Sequence, residues 1–530
     1  MPLVATRFYS AGSGSGVEPM RQIASTWSAA VVGVSALPVE VEVDAGGGKE
    51  NFVVVGLADT AVKESRQRVK AAVWNSGYSC PEGFITASLA PADLKKAGPC
   101  FDLPIALGLL ACSGQISKDN LAEWMVVGEL ALDGAVRPVR GVLAISLLAR
   151  DRRVRGLIVP LLNAAEASAV EGVRVVPVRD LREAAEVIDG KAVIIPIVGK
   201  TLENGSIPSG ENPLGVDFSE VKGQEAVKRA LEIAAAGNHN VLMIGPPGSG
   251  KSMLAKRLPG ILPRMTLEES FETTRIHSVA GLLRAEDSLV RERPFRSPHH
   301  TISDIGLIGG SAHPAPGEVS LAHHGVLFLD ELPEFKRSAL EVLRQPLEDG
   351  QVTISRASGT MTFPARFMFI GAMNPSPRGN FEGRPNGQAS RKYLNKISGP
   401  LLDRIDLHLE VPAMKHEQLL SEEPGESSVD IQKRVEEARN VQRKRFGPNS
   451  RIYANAQMGP RELRKRVPLD REAKGLLSSA MSDLALSARA LDRILKVSRT
   501  IADLAESEKV LLDHLAEAIQ YRTLDRQIWG

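Results

Sequence analysis

The stretch that decides the fold is Val241-Leu-Met-Ile-Gly-Pro-Pro-Gly-Ser-Gly-Lys-Ser252, in which four apolar residues lead into a glycine-rich loop. The last eight residues fit the pattern GxxxxGKS/T, whose backbone N–H groups converge on phosphate oxygens. We expect a strand before the loop and a helix that begins at Lys251. Phosphates bound by the loop would lie at the N-terminus of that helix, where the backbone favours negative charge.

The loop predicts a site for ATP and Mg²⁺ as cofactors. Its residues, all candidate ligands, are Gly245, Pro246, Pro247, Gly248, Ser249, Gly250, Lys251 and Ser252. In this pattern the Lys251 ammonium reaches the β- and γ-phosphates, and the Ser252 hydroxyl is a ligand of Mg²⁺. A glycine-rich turn without a ligand is the alternative.

Two carboxylates follow a second apolar run, in Gly325-Val-Leu-Phe-Leu-Asp330-Glu331. A buried strand has no structural need for two charges at its end. We expect Asp330 to hold Mg²⁺ through water, and Glu331 to polarise the water that attacks the γ-phosphate. A pair of solvated charges at a strand end is the alternative, which the phosphate loop upstream disfavours.

A third apolar run, Phe367 to Ala372, is followed by Asn374. The Asn374 amide could orient the attacking water, or it could simply form a turn before Pro375. At this point the sequence resembles the AAA+ ATPases, in which an Asn at a strand end is called sensor 1.

Two further arginines are assigned by the same resemblance. The segment GPLLDRID resembles the arginine-finger segment of the helix-2-insert AAA+ proteins, which implies that Arg404 crosses a subunit interface. Within its own chain, Arg404 could instead pair with Asp403 or Asp406. Arg489, near the start of a predicted helix, resembles sensor 2, and Arg493 is the competing candidate. A finger supplied by a neighbour couples hydrolysis to assembly, so a ring is expected.

The insertions between the first two strands narrow the resemblance. The blocks RPFRSPHHTISDIGLIGG, at 293–310, and HPAPGEVSLAHHGVLFLDELPEF, at 313–335, closely resemble the magnesium-chelatase-like ATPases. They contain five of the ten histidines: His299, His300, His313, His323 and His324. A metal site at these histidines is disfavoured, because adjacent side chains diverge on both strands and helices.

Longer phrases point to the ComM/YifB family within that group. They are VVVGLADTAVKESRQRVKAAVWNSG, FDLPIALGLLACSGQI and YLNKISGPLLDRIDLHLEVP, and the similarity extends from about Pro38 to Tyr521. The resemblance implies an ATP-driven hexamer that migrates branches of DNA and aids the integration of single strands in natural transformation. Single-stranded and branched DNA and further copies of the chain are then the expected partners. The alternative is a magnesium-chelatase-type motor that remodels a protein partner.

Alternation of strand and helix patterns, interrupted by the linker-like TLENGSIPSGENP at 201–213, predicts an α/β chain. With the resemblance, this organisation becomes a Lon-protease-like α+β domain, a P-loop AAA+ α/β core with insertions and a C-terminal helical lid. The predicted ranges are an N-terminal extension at 1–37, the Lon-like domain at 38–195, a linker at 196–216, the core at 217–412 and the lid at 413–530.

The N-terminal domain is expected to lack protease activity. The segment KAGPCFD resembles the nucleophile segment of Lon-type proteases, with Cys100 at the position of the catalytic serine. Leu143 occupies the position expected for the partner lysine. A thiol without its base stays largely protonated, which predicts a role in assembly or partner binding.

Two stretches are candidates for contact with DNA. Residues 350–364 predict a hairpin, which resembles those that face the pore of ring motors and makes Arg356 a candidate for backbone contact. A basic run lies in the helical C-terminal part: Lys433, Arg434, Arg439, Arg443, Lys444, Arg445, Arg451, Arg461, Arg464, Lys465 and Arg466. An ordinary hairpin and a solvated helix surface are the alternatives.

Composition is consistent with these expectations. The 530 residues are 43% hydrophobic and 24% charged, the balance of a soluble globular chain. The net charge of +2 confines any DNA contact to local patches, and three cysteines without CxxC spacing predict neither a disulfide framework nor a zinc site. The apolar run Leu103 to Cys112 is shorter than the ~20 residues that span a bilayer, and predicts a buried helix. We therefore expect a cytoplasmic protein without a membrane anchor.

Overall fold

The computed structural model describes residues 22–192, 215–310, 315–356, 359–376, 393–394, 396–413, 425–447, 450, 452–484 and 486–524. These residues form two compact units. The first comprises 22–192 and 284–288, and the second comprises 215–283 together with the described residues from 289 onward. Within these ranges, each helix is too short or too polar to cross a lipid bilayer.

The first unit is built on a mixed seven-stranded sheet in the order β3-β4-β2-β1-β5-β8-β9. The strands of this unit are β1 Gln22–Val32, β2 Ser35–Gly46, β3 Asn51–Val55, β4 Phe84–Ala90, β5 Trp124–Val126, β6 Glu129–Leu130, β7 Val136–Arg137, β8 Gly156–Pro160 and β9 Val175–Val178. Its helices are α1 Thr60–Asn75, α2 Asp102–Cys112, α3 Lys118–Leu121, α4 Val142–Arg152, α5 Ala164–Ala167 and α6 Leu181–Ile188. As predicted, α2 is a buried helix.

The start of the fold differs from the predicted boundary at residue 37. Strand β1 lies in the middle of the sheet and pairs with β2 from Gln22 opposite Ala45 to Val32 opposite Ser35. Its sequence, QIASTWSAAVV, is rich in Ala and Ser and therefore has a weak strand pattern, so its stability comes from pairing with both neighbours. The remainder of the predicted extension, 1–21, and most of the predicted linker, 196–214, lie outside the described residues, as do 193–195 at the end of the predicted Lon-like domain.

The second unit contains a five-stranded parallel sheet in the order β11-β12-β15-β10-β16. The strands of this unit are β10 Val241–Ile244, β11 Phe295–Arg296, β12 Val326–Leu329, β13 Gln351–Arg356, β14 Gly359–Pro364, β15 Met368–Met373 and β16 Leu407–Glu410. Strands β10, β12 and β15 are buried along their whole length, as strands covered on both faces must be. Their carboxyl ends share one edge, where parallel sheets bind ligands.

The second unit also contains helices. They are α7 Glu225–Gly237, α8 Lys251–Arg257, α9 Leu267–Ala280, α10 Asp304–Ile308, α11 Glu318–Leu321, α12 Arg337–Glu341, α13 Arg344–Asp349, α14 Gly399–Leu402, α15 Ser428–Phe446, α16 Pro460–Arg466, α17 Arg471–Asp483, α18 Ala488–Leu504 and α19 Leu512–Gln520. Helix α7 is buried almost all round, so α15 and α18 pack on it and join the core of the sheet. The helical C-terminal part therefore shares one hydrophobic core with the sheet.

The predicted hairpin is present. Strands β13 and β14 pair antiparallel from Gln351 opposite Pro364 to Arg356 opposite Gly359. On one face, Val352, Ile354 and Phe363 are buried, whereas the other face is polar and exposed. This alternation is the pattern of a hairpin with one face packed and one face in solvent.

Candidate nucleotide-binding site

The glycine-rich loop joins the end of β10 to the start of α8, as predicted. Gly248 and Gly250 have φ of +76° and +89°, a backbone conformation that favours glycine. At Gly245 a Cβ would lie 2.1 Å from the Val411 carbonyl oxygen, so no larger residue fits there. Pro247 and Gly248 lie exposed at the tip of the loop, and Ser249 is buried beneath it.

Lys251 lies beneath the loop with its side chain buried. Its Nζ donates to the carbonyl oxygens of Gly245, at 2.7 Å, and Pro246, at 2.9 Å. It also lies 3.2 Å from Oδ1 of Asn374, which follows the end of β15. Burial lowers the pKa of the Lys251 ammonium, and the Asp330 carboxylate opposes this shift. The predicted phosphate ligand and the predicted water-orienting amide are thus in contact.

Ser252 and Asp330 form the second half of the site. Ser252 Oγ donates to Asp330 Oδ2 at 2.5 Å, and the Glu331 backbone N–H donates to Asp330 Oδ1 at 2.9 Å. A hydroxyl beside a carboxylate at the edge of a phosphate loop is an oxygen donor set of the kind Mg²⁺ prefers. The residues present therefore fit ATP with Mg²⁺.

Glu331, the predicted base, has φ of +51°, and 59% of its side chain is exposed. Its carboxylate oxygen Oε2 lies 3.5 Å from Nδ1 of His300. The carboxylate therefore projects from the end of β12 into solvent and is accessible to water.

Gln224, which is not among the predicted site residues, also contacts the phosphate loop. It precedes α7 with φ of +58°, and its Nε2 donates to the Ser249 carbonyl at 2.8 Å and the Pro412 carbonyl at 3.4 Å. Its Oε1 is buried and has no hydrogen-bond partner within the described part of the chain.

Arg404 follows α14 and is 9% exposed. Its guanidinium donates to the Pro400 carbonyl at 2.6 Å and pairs with the Glu348 carboxylate. The in-chain partner is therefore Glu348, and neither Asp403 nor Asp406. Sequence spacing missed this pair because α13, which carries Glu348, comes close only in the folded chain. Hydrogen bonding to Arg404 lowers the pKa of Glu348.

The two sensor-2 candidates have different environments. Both lie on α18, which begins at Ala488 with Ser487 as its N-cap, as predicted. Arg493 lies 3.1 Å from buried Asp406, whereas Arg489 is 62% exposed and lies 3.4 Å from Asp403. Arg493 is thus committed to a buried ion pair, and Arg489 is the arginine available to a ligand.

Comparisons with known proteins give one family-model match in the first unit and two in the second. Family models described as subunit ChlI of Mg-chelatase, magnesium chelatase subunit ChlI, and its C-terminal part match residues 41–163, 217–419 and 425–522. The competence protein ComM of Haemophilus influenzae is 43% identical over 511 residues, which cover 95% of this chain and 98% of that protein. The chain belongs to the ComM/YifB family of magnesium-chelatase-like proteins.

Two further relatives mark the extent of that similarity. YifB of Escherichia coli is 43% identical over 507 residues, which cover 94% of this chain and 96% of that protein. The magnesium-chelatase 38 kDa subunit of Rhodobacter capsulatus is 25% identical over 287 residues, which cover 49% of this chain and 80% of that protein. The resemblance to the ComM/YifB family predicted from the sequence is confirmed.

Both described pairs of adjacent histidines in this ComM/YifB-family chain converge, contrary to the expectation that adjacent histidines diverge: the ring centroids lie 4.0 Å apart at His299–His300 and 3.9 Å apart at His323–His324. His324 has φ of +58°, so its ring turns toward that of His323, and both Nε2 atoms approach Glu272 Oε2, at 2.9 and 3.1 Å. These groups are close enough together to hold a metal ion. However, His323 Nδ1 accepts the backbone N–H of Arg366 at 2.9 Å, which places the ring proton on Nε2. This tautomer has no lone pair for a metal at Nε2.

In the first unit, the surroundings of Cys100 disfavour a thiolate. Cys100 lies in the turn before α2, and burial raises the pKa of its thiol to about 12. Leu143 is buried in α4, where its backbone N–H donates to Glu166 at 2.7 Å. A thiol with this pKa is protonated at neutral pH and is a poor nucleophile.

The basic C-terminal run divides into paired and exposed residues. Arg434, Arg439, Arg445 and Arg466 all bind carboxylates or carbonyl oxygens of the chain itself. The exposed members are Lys433, Lys444, Arg461, Arg464 and Lys465, whereas Arg443 is half-buried and Arg451 lies outside the described residues. On the hairpin, Arg356 donates to the Gly310 carbonyl at 3.1 Å. The positive surface is smaller than the count of basic residues implies.

Proposed function

We propose that this chain is an ATP-driven motor that moves single-stranded and branched DNA, a branch-migration helicase that works as a ring of identical subunits. The observation that carries the ATPase part is the convergence of Lys251, Ser252, Asp330 and Asn374 at the carboxyl edge of the parallel sheet. The DNA part rests on the family and on a hairpin whose polar face is open to solvent.

Each group has a task in hydrolysis. Lys251 and the loop N–H groups bind the β- and γ-phosphates, and Ser252 with Asp330 holds Mg²⁺, which neutralises phosphate charge when bound. Glu331 accepts a proton from the attacking water, and Asn374, which already contacts Lys251, orients that water. Gln224 packs against the Ser249 and Pro412 carbonyls and fixes the flank of the loop.

Arg404 is proposed as the finger for the nucleotide of a neighbouring subunit. An open groove of about 550 Å³ lies beside it, lined by α12, α13 and β13 and by the Arg404 partner Glu348. Insertion of the finger requires release of Glu348, which is 61% exposed and can be solvated once free. Arg489, exposed on α18, is proposed as the second sensor. A hexamer is the assembly that the family implies.

The remaining parts are proposed to support this motor. The hairpin faces DNA, with Arg356 in reach of the phosphate backbone, and the exposed basic residues of α15 and α16 give a second, salt-dependent contact. The first unit is proposed to be a Lon-like domain without protease activity, used for assembly or partner binding, because the Cys100 thiol stays protonated. The helices from α15 onward are proposed as the lid over the nucleotide. The protein is proposed to be located in the cytoplasm.

The deciding experiment is ATP-dependent branch migration of a synthetic three-strand DNA junction at low salt. The matched control is Glu331→Gln, which keeps the size of the side chain but removes the base. Strand movement by the natural chain and none by the variant is the expected result. Hydrolysis without DNA stimulation and without strand movement would refute the DNA part.

A magnesium-chelatase-type motor is the second candidate, favoured by the three ChlI family-model matches. It predicts that ATP hydrolysis responds to a porphyrin and a partner subunit, and not to DNA. Measuring the ATPase rate with each addition separates the two proposals.

A further inference from the structure

The block RPFRSPHH has no task in the site as described so far, yet its last residue contacts the proposed base. His300 Nδ1 lies 3.5 Å from Glu331 Oε2, across a chain separation that sequence inspection does not bridge. A contact of this length is long for a hydrogen bond, but such catalytic contacts often tighten only when substrate is bound.

The His300 ring is held from two sides. It lies beside the His299 ring, with centroids 4.0 Å apart and ring planes tilted by 34°, and it meets the edge of Phe335 at 6.4 Å and 77°. Phe335 is 2% exposed and lies just after the turn that follows Glu331. The imidazole is therefore more enclosed than the carboxylate beside it, with 32% of the His300 side chain exposed against 59% for Glu331.

Glu331 needs such a partner. Its backbone is fixed by the hydrogen bond from its N–H to Asp330, but its side chain is 59% exposed and free to rotate. A carboxylate that must present one oxygen to a water loses rate when it samples several rotamers. Anchoring Oε2 to an imidazole N–H leaves Oε1 for the water.

The same segment leads to the hairpin. After His300 the chain enters α10, where Asp304 Oδ1 accepts from Ser338 Oγ at 3.1 Å. Gly310 follows, and its carbonyl accepts from Arg356 of β13. A Cβ on Gly310 would lie 3.0 Å from Ile354, so the loop and the hairpin are closely packed.

We propose that His300 is a positioning residue that orients the Glu331 carboxylate for hydrolysis, and that residues 301–310 link this contact to the β13–β14 hairpin. The first part concerns the ATPase alone. The second part rests on the proposed function, since it makes DNA on the hairpin the signal that tightens the contact.

The test of the first part uses three variants of the full-length chain. His300→Asn retains an N–H donor near the place of Nδ1, His300→Gln moves the donor outward, and His300→Ala removes it. We expect His300→Ala to lower kcat for ATP roughly tenfold or more with KM within about twofold, and His300→Asn to recover most of kcat. His300→Gln should lie between them. Lys336→Ala, at an exposed site on the same segment as Glu331, is the control and should be unchanged.

Two results would overturn the positioning role. One is a His300→Ala enzyme with natural kcat, or with raised KM and unchanged kcat. The other is an additive loss, in which His300→Ala lowers kcat as much in a Glu331→Gln background as in the natural chain. We expect less than about a twofold further loss in that background, because the carboxylate that His300 orients is already gone.

The link to the hairpin is tested by ATPase rates with and without single-stranded DNA. We expect DNA to raise kcat of the natural chain and to have little effect on His300→Ala. Equal stimulation of both chains would refute the link. If DNA stimulates neither chain while His300→Ala still lowers basal kcat, the proposed DNA function fails and the positioning role stands.

Discussion

Ser252 Oγ lies 2.5 Å from Asp330 Oδ2, although 78 positions separate the two residues in the chain. The contact exists because β10 and β12 both run parallel to β15 and end at the same edge of the sheet. Ser252 lies in the first turn of α8, just after the phosphate loop, and Asp330 directly follows β12. Their hydroxyl and carboxylate define the proposed metal position.

Loss of either Ser252 or Asp330 should therefore act through the metal. We expect Ser252→Ala and Asp330→Asn each to lower kcat for ATP about 100-fold or more, and the double variant to be little worse than the single ones. Titration of the ATPase rate with Mg²⁺ is the measurement, and both variants should require a higher Mg²⁺ concentration. An unchanged Mg²⁺ requirement would contradict the assignment.

A finger that acts across an interface predicts complementation between two inactive chains. Lys251→Ala removes nucleotide binding but retains Arg404, and Arg404→Ala does the reverse. Each should be inactive alone, and an equal mixture should recover roughly a quarter of the natural rate, because one site in four then has both groups. ATPase rate against mixing ratio is the measurement. No recovery at any ratio would place the Arg404 action within its own chain.

Substitution of the two sensor-2 candidates should affect different properties: Tm for Arg493 and kcat for Arg489. Although burial alone would raise the pKa of Asp406, Arg493 and His239 hold it well below its usual range. Arg493→Ala leaves that carboxylate buried and short of a partner, at a cost of about 3 kcal/mol, and should lower Tm. Arg489→Ala should lower kcat with little change in Tm, since Arg489 is mostly exposed. Thermal melts and ATPase rates on both variants check this, and a reversed pattern would exchange the assignments.

Acid should destabilise the second unit through His323. Burial lowers the pKa of His323 to about 3, against 6.5 in an unfolded chain. Between these two pKa values the unfolded state therefore binds one more proton than the folded state. The contribution of neutral His323 to the free energy of unfolding is complete above pH 6.5. It is lost as the pH falls toward 3, with a slope of up to about 1.4 kcal/mol per pH unit.

His323→Gln should accordingly have a lower Tm at pH 7.5 but a smaller further loss of Tm between pH 7.5 and 5. The amide can donate to Glu272 as the imidazole does, and it does not titrate. His299→Gln, at an exposed position, is the matched control and should keep the natural slope. Parallel Tm curves for His323→Gln and the natural chain would contradict the assignment of the acid sensitivity to His323.

Two glycine-to-alanine changes should have opposite effects on Tm. Gly245→Ala puts a Cβ 2.1 Å from the Val411 carbonyl and should abolish nucleotide binding and lower Tm. Gly475 lies in α17 with open space around it, so Gly475→Ala should stabilise the helix by up to about 1 kcal/mol and raise Tm by about 1 °C. Thermal melts with and without ATP measure both effects. A lower Tm for Gly475→Ala would indicate a contact on that helix face.

Local sequence patterns predicted the central strands and the hairpin of the second unit. Strand β12 begins and ends at the predicted residues, and β10, β15 and the hairpin differ from prediction by at most a residue or so at each end. Apolar runs that end in glycine or in charged residues have few alternative structures, so their boundaries are readable. Strand β1 was missed because its Ala- and Ser-rich sequence is stabilised by its neighbours in the sheet and not by its own propensity.

The sequence by itself determined which residues form the proposed nucleotide site, because the phosphate loop, the strand-end carboxylates and Asn374 each carry their signal within a few adjacent residues. Tertiary structure alone decided the partners: Glu348 for Arg404, Asp406 for Arg493, and His300 for Glu331. Each pair joins residues from separate elements that only packing brings together. The left-handed backbone of His324, which turns two adjacent rings onto one carboxylate, is likewise imposed by the folded surroundings and has no local sequence signal.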